Sequence, residues 1–359
     1  MSVRLRPALA ELAAYRPGRN AADLARELGV PSAVKLASNE SAYGPLPGVR
    51  AVIAAAAAEA NRYPDNGSGE LTAALAAHCG VSPDRVAVGC GSVGLYQQLV
   101  AALAGPGDEV VYGWRSFEVY PSFVAITGAT AVPVPLRDHT YDLPAIARAV
   151  AGRTRMVFVC NPNNPTGTAV GRGAIATLLD SVPDDVLVVI DEAYHEYVTD
   201  RSVPDAISFA AQRDNVAVLR TMSKAYGLAG LRIGYCIAAP TVIGALRQVQ
   251  LPFTVSSVAQ AAGLASLVAT DELHERVMAT VAERARVLAA LRALGVTIPD
   301  SEANFFWLPI GACALPFAAA CERAGVIVRP FAGDGVRVTV GTPADNDRFL
   351  AVATPLLRR

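Results

Sequence analysis

Lysine is almost missing from this chain of 359 residues: Lys35 and Lys224 are the only two, although Lys and Arg together number 31. Tryptophan is confined to Trp114 and Trp307, and histidine to four positions. The six cysteines form no CxxC pair and have no histidine at ligand spacing, which sets aside a zinc ribbon and leaves reduced core thiols in a reducing cytosol as the expectation. A net charge of −1 offers no basic surface to nucleic acid or to an anionic membrane. No run approaches about 20 apolar residues free of charges and breakers, so no membrane-spanning helix is expected. The opening MSVRLRPALAELAAYRPG has no apolar core long enough for a signal peptide. These absences predict a cytoplasmic protein without a nucleic-acid or membrane partner.

Core material, by contrast, is plentiful. Hydrophobic residues make up 52% and charged residues 18%, as in ordinary globular proteins. The length suggests two domains sharing an interface. From about residue 50 to 240, apolar runs alternate with helical stretches. RVAVGC, EVVYG, TRMVFVC, VLVVIDEAY, VAVLRTMS and LRIGYCIAA are short, β-branched and bounded by turn residues. GLYQQLVAALAG and AIATLLDSV read as helices between them, and the alanine run of AVIAAAAAEANRY as another. Strands apolar on both faces and separated by helices predict a mainly parallel α/β sheet. After residue 249 the pattern changes. ASLVATDELHERVMATVAERARVLAALRALG reads as one long helix, followed by NFFWLPI, FAAACERAGVIVRPF and GVRVTVGT in a smaller, antiparallel-flavoured α+β unit.

Why a lysine was kept at 224 is a chemical question. An ammonium can lose a proton and become a nucleophilic amine, whereas a guanidinium cannot. The polar motifs around it all follow strands, where open α/β sheets bind ligands. GCGSVG is either a plain tight turn or a place where backbone N–H groups and Ser92 meet an anion on a helix dipole. NPNNPTG is a rigid turn in which Asn164 could orient a ring substituent. Asp191 ends the apolar strand VLVVID and needs a partner, since an unpaired buried carboxylate is costly. A protonated heterocyclic nitrogen would serve, and Tyr194 can reach the same ligand. Ser223 and Lys224 end another strand, and Arg232 follows eight residues on. An amine, a carboxylate for a ring nitrogen, a phenol and anion donors together match the needs of pyridoxal phosphate.

LASNE, RYPD, GCGS, NPNNPTG, DEAY, SKAYGLAGLRIGY and VRVTVGT, in this order, resemble the fold-type I pyridoxal-phosphate aminotransferases of the histidinol-phosphate aminotransferase branch over nearly the whole chain. Within that branch RYPDNG, VGCGSV and GWRSFEVYP are most similar to actinobacterial aromatic amino acid aminotransferases. The resemblance implies an α/β large domain built on a mostly parallel seven-stranded sheet over 35–248. It also implies an N-terminal arm, 1–34, joining a smaller α+β domain, 249–359. Lys224 would carry the cofactor covalently and act as general base, Asp191 would pair with the ring nitrogen, and Asn164 and Tyr194 would hold the ring oxygen. Ser92, the Val93 amide, Ser223 and Arg232 would take the phosphate, and Phe117 would stack on the ring. Tyr63 would reach the phosphate of the neighbouring subunit, giving a homodimer with shared sites. Arg337 would bind the substrate carboxylate, with Asn164 beside it and Arg329 and Tyr15 closing over it. Where many relatives carry an acidic residue after the GS of the phosphate loop, this chain has Val93, which keeps a backbone contact only.

The implied reaction is ping-pong amino transfer between phenylalanine or tyrosine and 2-oxoglutarate. Histidinol phosphate is the alternative substrate, and because both classes present an anion to the same arginines, Arg337 does not choose between them. Trp114, Phe117, Tyr120 and Tyr15 are expected to form the ring-binding wall, each with core packing as the competing role. A carbon–sulfur lyase or decarboxylase would use the same cofactor parts. A transcription regulator would need a DNA-binding module, for which no room is expected before Tyr15. The lysine scarcity makes one test direct: borohydride reduction of the purified, yellow protein should fix the cofactor on the peptide holding Lys224. Label on Lys35 would overturn the assignment.

Overall fold

The computed structural model describes residues 18–358, with Val3, Ala8 and Leu12 ahead of them. Tyr15 lies outside the described residues. Within them the strands are β1 (Val34–Lys35), β2 (Val86–Cys90), β3 (Glu109–Trp114), β4 (Thr130–Pro135), β5 (Thr154–Cys160) and β6 (Leu187–Asp191). They continue with β7 (Val216–Thr221), β8 (Ile233–Ile237), β9 (Phe305–Leu308), β10 (Val326–Ile327), β11 (Arg329–Phe331) and β12 (Gly335–Thr339). No helix of the described residues is long and apolar enough to cross a membrane.

Seven strands form the large sheet in the order β2-β8-β7-β6-β5-β3-β4. The pairs β4–β3, β3–β5, β5–β6 and β6–β7 are parallel, and β8 runs antiparallel to both β7 and β2. Every residue of β6 and β7 is buried, as strands covered on both faces must be. The mainly parallel α/β sheet predicted from the alternation of apolar runs and helices is thus present. One strand escaped the sequence reading: TAVPVP, β4, whose two prolines argue against a strand. It sits at the sheet edge, where prolines are tolerated.

The long helix expected over 265–295 is two helices, Ser257–Val268 and Thr270–Arg292, broken at Ala269 (φ −88°, ψ 50°). Asp271 and Glu272 occupy the first turn of the second helix, where negative charge suits the dipole, and mark the start that the alanine-rich pattern hid. The first of the two helices packs on Pro47–Ala57 and Gly69–Cys79, with Gly263 against Leu71 and Met222. Residues beyond 249, Val255, Ala259, Ala262 and Val277 among them, therefore belong to the same hydrophobic core as the large sheet. A second core surrounds the antiparallel β11-β12-β9 sheet and takes Val34 and Leu36 from one end of the chain and Phe349 from the other. β1 pairs parallel with β10, tying the two ends together.

This topology brings chemistry to one edge. β5 and β6 run in register, with Cys160 beside Asp191 at their carboxyl ends, and β7 delivers the Thr221–Lys224 segment next to them. On the far side of the small sheet, Arg329 and Arg337 stand directly opposite one another on β11 and β12.

Candidate active site

A cavity of about 250 Å³ opens where these elements meet, lined by residues from Ser38 to Glu40, Ser92 and Val93, Phe117 and Glu118, Asn164, Asp191, Tyr194, Ser223 and Lys224, Arg232 and Arg337. Sequence separations of up to 300 residues thus close into one space.

Asp191 is buried at the end of β6. Its Oδ2 accepts a hydrogen bond from Tyr120 Oη at 3.1 Å and its Oδ1 one from the Ala193 N–H at 3.1 Å. Tyr96 Oη lies 2.9 Å from Tyr120 Oη and extends the chain. Burial nevertheless dominates and raises the Asp191 pKa to about 6, against those hydrogen bonds and the charge of Lys224. Such a carboxylate is poised to gain from a cation. Lys224, partly buried, has its pKa lowered to about 8, first by burial and then by the Arg337 and Arg232 guanidiniums. Its Nζ sits 5.8 Å from the centre of the Tyr194 ring. Tyr194 is buried, and burial holds its phenol well above the ordinary range. Asn39 Nδ2 donates to Tyr194 Oη at 3.0 Å, while Asn39 Oδ1 accepts from Thr339 Oγ1 at 3.1 Å. That contact fixes the phenol oxygen at the wall of the cavity. Asn39 belongs to LASNE, which the sequence presented only as a likeness; nothing local marked it as the partner of a tyrosine 155 residues away.

The candidate anion cradle is built on close backbone approach. Helix Gly91–Leu103 begins directly after β2, and Gly234 of β8 lies against its first turn: a Cβ there would come 2.2 Å from the Ser92 nitrogen and 2.5 Å from the Gly91 carbonyl carbon. A Cβ on Gly91 (φ +67°) would meet Arg232 Nη2 at 2.5 Å. Glycine at both positions lets the helix N-terminus, with its unpaired N–H groups, face the cavity beside the arginine. Arg232 itself adopts a left-handed backbone (φ +57°), accepts the Gly91 N–H on its carbonyl, and sets its Nη1 3.3 Å from Ser223 Oγ.

At the opposite end, Arg337 Nη1 donates to Asn164 Oδ1 and Nη2 to the Ala37 carbonyl, each at 2.6 Å. Asn164 spends its acceptor there, so a contact to a ring oxygen must come from its amide N–H groups. Phe117 lines the cavity, as expected of a stacking ring. The other two ring candidates do not: Tyr120 is fully buried on Asp191, and Trp114 packs against Arg115 and Tyr112, so neither is part of the wall predicted for them. Burial under Phe117 and the pull of the Asp191 carboxylate explain the difference for Tyr120. Arg329 also lies off the cavity surface. Its guanidinium is held by Glu118, which the sequence reading passed over although it sits between two residues that were singled out. Tyr63 is exposed and away from this chain's own cavity.

The family model for aminotransferase class I and II matches residues 31–352. This chain belongs to that family. An aromatic amino acid aminotransferase of Thermobifida fusca (strain YX) is 58% identical over 356 residues, 99% of this chain and 98% of that protein. The protein of the same name from Mycobacterium tuberculosis (strain H37Rv) is 56% identical over 355 residues, 98% of each. Among solved structures, the histidinol-phosphate aminotransferase of Sinorhizobium meliloti in complex with pyridoxal-5'-phosphate superposes with a TM-score of 0.90 at 30% identity, covering 100% of this chain and 98% of that one. The chain is therefore an aminotransferase with the fold-type I architecture.

The residues present suit the cofactor of that family on grounds of their own geometry. A cradle that any Cβ at Gly91 or Gly234 would fill faces one end of the cavity, and a destabilised buried carboxylate and a depressed amine share its floor. The amine also makes a prediction for the cofactor-free protein. Below pH 8 folding must bury a charged Lys224; between pH 8 and 10.5 the unfolded chain binds the extra proton, so stability rises with pH until the penalty vanishes. Lys224→Met should thus be more stable than the parent at pH 7, by about 1–3 kcal/mol, with the gap closing as pH approaches 10.5. Urea midpoints of both proteins at pH 7 and pH 10 check this, and a gap independent of pH would contradict it.

Proposed function

We propose that this chain is a pyridoxal-phosphate-dependent aromatic amino acid aminotransferase that passes the amino group of phenylalanine or tyrosine to 2-oxoglutarate in a ping-pong cycle. The observation that carries the reaction type is a single cavity bearing the Lys224 amine, the Asp191 carboxylate and anion donors at both ends. Identity of 56–58% over almost the whole length to proteins named for aromatic amino acids supports the substrate class.

Bound pyridoxal phosphate supplies a conjugated ring that accepts the electron pair left when the substrate Cα–H bond breaks. The chain's own groups do the rest. Asp191, fixed through Tyr120 and the Ala193 amide, would hold a proton at the ring nitrogen by offering it a buried carboxylate. Lys224 Nζ, with its pKa already lowered to about 8, takes the Cα proton as general base and returns it on the other side of the transfer. Tyr194, its oxygen held in place by Asn39, would donate its O–H to the ring oxygen. Ser92, the Val93 amide, Ser223 and Arg232 bind phosphate at the helix N-terminus. Arg337, oriented by Asn164 and the Ala37 carbonyl, receives the substrate carboxylate. The decisive assay sets amination of phenylpyruvate, hydroxyphenylpyruvate and imidazole-acetol phosphate side by side. Higher kcat/KM for the two aromatic keto acids is expected; a reversal by more than about tenfold, roughly 1.4 kcal/mol of transition-state binding, would make the chain a histidinol-phosphate aminotransferase.

The active form on this reading is a homodimer. Tyr63 is 82% exposed, and its ring stacks on the exposed Phe253 at 4.5 Å, two residues after the exposed Leu251. Paired apolar rings left in water favour a covering surface, and a neighbouring subunit's phosphate site would take up the Tyr63 hydroxyl. Mixing an inactive Lys224→Ala chain with an inactive Tyr63 variant should restore a fraction of the sites. A monomer that is fully active in sedimentation-coupled assays would overturn the shared site.

A further inference from the structure

Arg329 and Arg337 are cross-strand partners on β11 and β12, so two arginines stand side by side next to the cavity, with Arg337 in its lining. Like charges placed directly opposite on a sheet repel unless a counter-charge stands by. Glu118 is that counter-charge. Its carboxylate grips Arg329 through Nε at 3.2 Å and through Nη2 at 2.9 Å to each oxygen, a fork with both side chains largely sheltered (16% and 29% exposed). Glu118 also lines the cavity, which Arg329 does not. An anion in the cavity therefore has the Glu118 carboxylate in its wall, with the Arg329 guanidinium bound to that carboxylate.

Resting on the aromatic amino acid reading above, we infer that Glu118 is a specificity residue that tunes the charge of this end of the site to a monoanion. A substrate carboxylate brings one negative charge, and Arg337 with its hydrogen-bonded frame suits it. A phosphate monoester brings close to two. It would meet the Glu118 carboxylate across the cavity and find Arg329 already neutralised, so the extra charge is repelled rather than bound. Discrimination between an aromatic amino acid and a phosphorylated amino alcohol then lies in a residue that touches neither ring, and Phe117, its neighbour in sequence, is left to handle the aromatic side chain. Glu118 works through Arg329 and through its own field; it takes no part in proton transfer.

The test uses the holoenzyme and a pair of inhibitors that differ only in the anion: 3-phenylpropionate and 2-phenylethyl phosphate, each competed against phenylalanine. Inhibition-constant ratios are taken within one variant, so a partly inactive preparation does not disturb them. Glu118→Gln should shift the ratio in favour of the phosphate by about tenfold or more, and raise kcat/KM for histidinol phosphate relative to phenylalanine in the same sense. Arg329→Leu, which leaves the Glu118 carboxylate uncompensated, should shift the ratio the opposite way, against the phosphate, and adding Glu118→Gln in that background should reverse the shift. Equal changes for both inhibitors, or no change, would overturn the assignment, and an Arg329→Leu variant that gains on the phosphate would overturn the role given to the pair. A preference of the parent enzyme for histidinol phosphate would instead defeat the aromatic reading, and the Glu118 comparison reports separately from it.

Discussion

Asp191 places an ionisable carboxyl where water cannot stabilise it, and much of the surrounding structure responds to that one constraint. The carboxylate closes a strand buried on both faces, so its stabilisation has to come from fixed donors: the Tyr120 hydroxyl, backed by Tyr96, and the Ala193 amide. These are too few to overcome burial, and the group stays easier to protonate than an ordinary aspartate. A cation delivered from the cavity relieves the strain. The same burial that unsettles Asp191 lowers the pKa of the Lys224 amine, so one low-dielectric pocket yields a carboxylate in want of a proton donor and an amine ready to act as a base.

Two sheets share the work. The parallel sheet supplies the floor, because the carboxyl ends of its strands converge where the order of connections leaves a crevice. The small antiparallel sheet, assembled from β9, β11 and β12, brings arginines over it. Contacts that join them, Arg337 to Asn164 and Thr339 to Asn39 to Tyr194, are buried hydrogen bonds across 155 to 300 residues of sequence. On the proposed assignment, their geometry makes the orientation of the small sheet part of the chemistry, since a shift there would move Arg337 and release Tyr194 together.

The balance of charge at the substrate end follows the same logic. Arg337 is steered by neutral acceptors, Asn164 and a backbone carbonyl, whereas Arg329 is met by a carboxylate. Two arginines on adjacent strands thus acquire different chemical surroundings from what faces them.

Much of this was legible in the residues themselves. Scarcity of lysine pointed at Lys224, an aspartate closing an apolar run pointed at a buried partner, and small residues after strands pointed at an anion cradle; each follows from local chemistry that any fold must respect. The β-branched runs likewise announced the parallel strands, while Pro133 and Pro135 disguised the edge strand and a run of good helix formers hid the break at Ala269. What lay beyond the sequence was every role set by a distant neighbour. Whether Tyr120 faced a substrate or Asp191, whether Arg329 stood open or clasped by Glu118, and that Asn39 would orient Tyr194, depended on side chains brought together only when the two sheets packed. Residue type and spacing determined which chemistry the chain carries; hydrogen-bond partners, chosen by tertiary proximity, decided which side chains perform it.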